Sequence, residues 1–238
     1  MNKHLLNWKK LVIAGITTLA IASTAGCDSS NSANQNNANQ TAPQQESSPV
    51  SQSTETNAVR VGAPAPAFTA VDSNGKTHNL SDFKGKTVVL EWTNHECPFV
   101  KKHYESGNMQ ALQKEKTGKG VVWLSVISSA PGQQGNVTPQ KASELTKSRN
   151  ASPTAVLIDA DGKVGKLYQA RTTPHMYVID KNGILQYTGA IDDNSSKNPQ
   201  DAKTANNYVR AAVDSVLKGE PVKTSTTQPY GCSVKYAT

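Results

Sequence analysis

Cys97 stands where an apolar strand, Thr87–Trp92, breaks through Thr93–Glu96 into a helix that opens at Pro98. The first N–H groups of a helix have no intrahelical partner, which makes its start electropositive. A thiol placed there ionises more readily, and the thiolate is the reactive form. Lys101 and Lys102, about one turn on, add positive potential, while Glu96 opposes it. The chemistry in view is attack by the Cys97 thiolate on a peroxide, giving a sulfenic acid, or on a disulfide, giving a mixed disulfide. His95 is a candidate for orienting a substrate or donating to a sulfenate, although a lone loop histidine is more often a solvated group. The plainer alternative for Cys97 is a buried free thiol packed as a small apolar side chain.

A second sulfur is available near the C-terminus. Cys232 follows Gln228-Pro229-Tyr230-Gly231 and precedes Ser233. Such a turn either delivers a resolving thiol to Cys97 or pins the tail by a structural staple, and both readings stay open.

The elements that must position these sulfurs follow an apolar leader. Met1–Gly26 carries Lys3, Lys9 and Lys10 ahead of the run Leu11–Ala22 and ends in small residues, the pattern of an export signal. The run is shorter than the roughly 20 apolar residues of a spanning helix. Thr24-Ala25-Gly26-Cys27 resembles a bacterial lipobox, which implies lipidation of Cys27. Asp28 resembles the signal that retains lipoproteins in the inner membrane. Residues 27–58 are almost entirely Ser, Asn, Gln, Thr, Ala and Pro and cannot bury enough apolar surface to offset the entropy of ordering. They read as a lipid-anchored flexible tether, and residues 59–238 as a single domain.

Three of the positive charges behind the net +7 belong to the leader, and the remainder form no basic block. No interleaving of aromatic and basic residues points to nucleic acid. His4, His78, His95, His103 and His175 are scattered without paired ligand spacing, so no metal is expected, and the glycines form no phosphate loop. No cofactor is expected.

Within the domain, Ala67–Val71 and Lys76–Leu80 flank the turn Asp72-Ser73-Asn74-Gly75 and predict a hairpin. After the strand ending at Trp92, a helix is expected from Pro98 to about Lys116, and a doubly covered strand over Val121–Ile127. A second helix, capped by Thr138, runs to about Arg149. Strand Ala155–Ile158, a short helix near Val164–Tyr168, and strands His175–Ile179 and Ile184–Gly189 follow. The last helix is expected over Ala202–Leu217, with Tyr208, Ala212, Val216 and Leu217 as its apolar stripe. Strands alternating with helices and closing on a hairpin imply an α/β domain with a mixed sheet.

Five segments carry a family likeness: Val61–Phe68 continued by Leu80–Lys86, Asn94-His95-Glu96-Cys97-Pro98-Phe99-Val100, Thr172-Thr173-Pro174, Gly189–Asn194, and Gly231–Tyr236. Together they resemble the thioredoxin-fold redoxins, and within them the peroxiredoxin-like (AhpC/TSA-type) proteins. The resemblance implies a thioredoxin-like fold, a central mixed sheet flanked by helices with an N-terminal β-hairpin. It also implies a cis-proline at Pro174 that exposes the backbone of Thr173 to a bound polypeptide or disulfide. Thr93 resembles the peroxide-contacting threonine of peroxiredoxins but lies four residues before Cys97, where that motif has three. Arg171 is similar to the arginine that steadies their transition state. Many relatives place a second cysteine three residues before the reactive one, and here that position is Asn94. A neighbouring Cys-x-x-Cys disulfide is thereby excluded, which leaves Cys232 as the candidate resolving thiol.

The sequence therefore describes a membrane-tethered thiol-dependent oxidoreductase facing the periplasm. Its substrate would be a peroxide or a protein or small-molecule disulfide, and its thiol reductant is not identified by the chain. A noncatalytic binding module on the same scaffold is the alternative, because fold alone does not establish activity.

Overall fold

The computed structural model describes residues 59–237. The expected export signal, Cys27 and the tether lie outside the described residues.

Strands β1 (Thr69–Asp72) and β2 (Thr77–Asn79) form the expected hairpin. Its turn is held by the Asp72 carboxylate, which accepts from the N–H groups of Asn74 and Lys76 and from the His78 ring. Strands β3 (Val88–Trp92) and β4 (Val122–Ile127) are buried at every position, as continuous apolar runs covered on both faces require. They pair in parallel, and β5 (Ala155–Ile158) extends the parallel ladder beyond β4. In the chain between them, helices α1 (Pro98–Glu105), α2 (Asn108–Thr117) and α3 (Pro139–Ser148) supply the crossovers. After the short helix α4 (Lys163–Leu167), β6 (Thr172–Thr173) leads directly into β7 (His175–Ile179), antiparallel to β3. Strand β8 (Leu185–Gly189) turns back along β7. Helix α5 (Tyr208–Lys218) and the two-residue strand β9 (Cys232–Ser233) complete the chain. The main sheet runs β2-β1-β5-β4-β3-β7-β8, which is the mixed sheet expected.

Each sheet face carries its own core. Leu90, Trp92, Leu124, Tyr168 and Tyr177 pack with α4 on one side. Val89, Trp123, Met176 and Tyr187 pack with Met109 and Leu112 of α2 and Val209, Ala212 and Val213 of α5 on the other. Glu91, pointing into this second layer from β3, is fully buried and accepts from the Tyr104 and Ser125 hydroxyls, the Gln113 amide and the Trp123 indole. It ties α1, α2 and β4 together beneath the end of the sheet where Cys97 sits.

Three expectations are corrected. The helix predicted from Pro98 to about Lys116 is two helices, because Gly107 takes a left-handed conformation (φ 78°). That break lets Tyr104 reach Glu91 while Met109 and Leu112 enter the core. Helix α5 starts at Tyr208 rather than Ala202, since the Asn207 side chain caps it by accepting from the Arg210 N–H. Its docked stripe is Val209, Ala212 and Val213, and Leu217, expected on that stripe, is 41% exposed.

Candidate active site

Cys97 is the residue that caps α1. Its carbonyl accepts from the N–H groups of Val100 and Lys101, and its own N–H donates to Asn94 O. Asn94 is buried and serves the loop: its Oδ1 accepts from the Glu96 N–H at 2.9 Å and its Nδ2 donates to Gln134 O at 3.2 Å. Glu96 accepts from the Gly135 N–H at 2.6 Å. A Cβ on Gly135 would fall 2.3 Å from the Asn94 amide, so the 130–136 loop needs glycine to close over this corner.

The second sulfur comes from the far end of the chain. Strand β9 lies antiparallel to β6, with Thr173 opposite Cys232, and the Cys97 and Cys232 sulfurs are 2.7 Å apart. The Thr173–Pro174 bond is cis, and the Thr173 carbonyl stands 3.1 Å from the Cys97 sulfur. The backbone edge expected to be open to a bound polypeptide is therefore occupied by the chain's own tail. Gly231 permits this approach, because its φ is 140° and a Cβ there would lie 2.1 Å from Thr173 O.

The tail is a strap fastened on both sides of Cys232. Upstream, the Thr227 hydroxyl accepts from the Ala190 N–H at 2.9 Å. Downstream, the Val234 N–H donates to Arg171 O, the Ala130 N–H to Lys235 O, and the Tyr236 hydroxyl to Ala170 O. Beneath the strap Cys97 has no exposed surface, and Cys232 is partly exposed.

Burial pushes the Cys97 thiol up, but hydrogen bonding to the side chains of Cys232 and Thr173 and to the N–H groups of Cys232 and Val100 outweighs it, and the net shift is downward. The Thr173 carbonyl can only accept and so favours the protonated sulfur. The downward shift rests on the donors opposite it. Cys232 is pushed up to about 11, by burial and then by its partner sulfur. Subtracting the thiolate absorbance of Cys97→Ser from that of the reduced wild type should show Cys97 ionising below the ordinary thiol value of about 8.5. Cys232→Ala, which deletes a donor, should move that step to higher pH. A Cys97 step at or above the ordinary value would contradict this account.

The lysines expected to assist do not supply the shift. Lys102 is fully buried, 2.5 Å from Asn194 O and 3.9 Å from the Asp192 carboxylate, which absorbs its charge; Lys101 is exposed.

Thr93, His95 and Arg171 occupy other clefts, and among the described residues none makes a hydrogen bond to either sulfur. Thr93 and His95 line a cavity of about 40 Å³ with Tyr104, Ser125 and Arg149. Arg149 donates to His95 O at 2.8 Å. The His95 imidazole is lowered, chiefly by burial. Arg171 is exposed and lines a separate cleft of about 220 Å³ with Tyr168 and His175.

Comparison with known proteins bears on the fold and the family. The model of the AhpC/TSA family matches residues 61–188. The thiol-disulfide oxidoreductase ResA of Geobacillus kaustophilus is 32% identical over 133 residues, 56% of this chain and 71% of that protein. A chloroplastic peroxiredoxin Q of Oryza sativa subsp. japonica is 28% identical over 137 residues, 54% of this chain and 58% of that protein. The crystal structure of an uncharacterized conserved protein from Geobacillus kaustophilus superposes with a TM-score of 0.66 at 27% identity, covering 76% of this chain and 94% of that one.

Proposed function

Because the chain belongs to the AhpC/TSA family, whose redoxin fold it shares, we propose that it is a thiol–disulfide oxidoreductase that cycles between a Cys97/Cys232 dithiol and the disulfide joining them. The observation that carries this reading is the contact of the two sulfurs at 2.7 Å across 135 residues of chain. They do together what a neighbouring pair does in a Cys-x-x-Cys motif.

The exposures favour an order of events in which the roles expected from the sequence are exchanged, Cys232 meeting the substrate and Cys97 resolving. In the oxidised form, an external thiolate attacks the outer sulfur, Cys232, and the Cys97 sulfur leaves with the bonding electron pair. Cys97 is the better leaving group, since its thiolate is the more stabilised of the two. A second external thiolate then attacks its counterpart in the mixed disulfide, expels Cys232 and completes a two-electron reduction. In reverse, the Cys97 thiolate resolves an adduct carried on Cys232. The placement of Thr93 and Arg171 away from the sulfurs favours exchange with disulfides over attack on peroxide. Export, lipidation at Cys27 and the tether of residues 28–58 would hold this chemistry on the periplasmic face of the inner membrane, where disulfides persist.

The test is to treat reduced protein with oxidised glutathione and map its peptides by mass. The expected result is a crosslinked pair containing Cys97 and Cys232, with release of reduced glutathione. Two unreactive thiols would instead support a noncatalytic binding module.

A further inference from the structure

Asp192 belongs to the Gly189–Asn194 segment, whose purpose the thiol chemistry leaves unexplained. It is 1% exposed, and its Oδ1 accepts from the hydroxyl of Tyr230, two residues before Cys232. The same hydroxyl lies 3.1 Å from Nε2 of the fully buried His103 on α1. Nδ1 of that ring lies 2.9 Å from Nδ2 of Asn108, a nitrogen that can only donate. With Asn108 Nδ2 donating to Nδ1, the ring proton sits on Nε2, which donates to the Tyr230 oxygen, and Tyr230 donates to Asp192 Oδ1, while Asp192 Oδ2 has no hydrogen-bond partner among the described residues. The imidazole must then be neutral, in keeping with burial and the Lys102 charge lowering it to about 3. The Tyr230 ring also packs edge-on against Phe99, two residues beyond Cys97, with centroids 5.9 Å apart.

Resting on the exchange reading above, we propose that Tyr230, held by Asp192 and His103, is a positioning residue that draws Cys232 back against Cys97 and so drives the resolving step. With Tyr230 fixed on one side and Val234 bonded to Arg171 on the other, only Gly231, Cys232 and Ser233 lie between anchors. An adduct on Cys232 has no room in the gap between sulfurs that already touch, so the strap is displaced while the adduct is present. Closing the latch then favours the internal bond: the Cys97 thiolate attacks Cys232 sulfur, the Cys97–Cys232 bond forms, the bond to the adduct breaks, and the adduct leaves as a thiolate. The latch raises the effective concentration of one sulfur at the other without touching either.

The test uses Tyr230→Phe, which keeps the ring on Phe99 and deletes only the hydroxyl. At a fixed ratio of reduced to oxidised glutathione, the ratio of Cys232–glutathione adduct to internal disulfide is read by mass spectrometry. It should rise about tenfold or more over wild type, the weight of a hydrogen bond to a charged acceptor. Asp192→Asn, whose amide oxygen still accepts but without charge, should move it the same way by less. A residue that merely supports the fold would lower the unfolding midpoint of the reduced protein and leave this ratio alone. An unchanged ratio in Tyr230→Phe would overturn the latch while leaving the exchange chemistry standing. Failure of the wild type to form an internal disulfide at all would overturn both.

Discussion

Cys97→Ser is expected to abolish turnover of disulfide substrates, lowering the rate by about a thousandfold or more, on the scale of losses when a nucleophile is removed. Cys232→Ser should be equally inactive, and the two should fail differently. In Cys97→Ser the outer thiol survives, so incubation with oxidised glutathione should leave a stable adduct on Cys232 that nothing resolves. In Cys232→Ser the remaining sulfur lies beneath the strap with no exposed surface, so the adduct on Cys97 should form slowly or not at all. If Cys232→Ser were instead glutathionylated as fast as Cys97→Ser, the order of attack would be reversed, with the inner sulfur meeting substrate first. If Cys97→Ser retained turnover, the exchange mechanism would be lost altogether.

What the sequence showed and what it concealed divide along the range of the interactions. Cys97 at a helix start was legible because a strand, a polar break and Pro98 are local signals, and the structure has Cys97 as the cap of α1. The mixed sheet was legible because strands such as Val121–Ile127 alternate with helices and the series closes on a hairpin. The break at Gly107 was hidden because the apolar pairs on its two sides, Val100 with Tyr104 and Met109 with Leu112, each keep helical spacing. Strands β6 and β9 have two residues each, too few for any periodicity, so the tail's seat on the cis-proline edge had no local signature. Lys102 and Asp192 were opaque for another reason. Charged side chains read as solvated unless their partner is known, and here the partners are 90 residues apart in the chain. Asn94 reads in the sequence as a missing cysteine, while its work in holding the 130–136 loop depends on contacts 40 residues away in the chain.

Removing the strap should produce the second large effect. Ending the chain after Thr227 deletes the downstream anchors, three hydrogen bonds that run between the tail and Arg171, Ala130 and Ala170. It also deletes the Tyr230 latch. A fully buried thiol reacts only from locally open states, so its labelling rate follows the free energy of opening. At about 1 kcal/mol for each net hydrogen bond, losing these contacts lowers that cost by several kcal/mol, which is about a hundredfold to a thousandfold in rate. Iodoacetamide labelling of Cys97, followed on its own peptide and compared with Cys232→Ala at full length, measures the effect with one site thiol in each protein. Gly231→Val provides a check that keeps every anchor: its Cβ would fall 2.1 Å from Thr173 O, so the strap must lift there, and in a Cys232→Ala background Cys97 should again label faster. The freed edge of β6 would then present unpaired backbone groups at Thr173 to an extended peptide, as an exposed strand edge does. Labelling rates unchanged by both alterations would mean that something other than the tail shields Cys97, and the strap would lose its place in the mechanism.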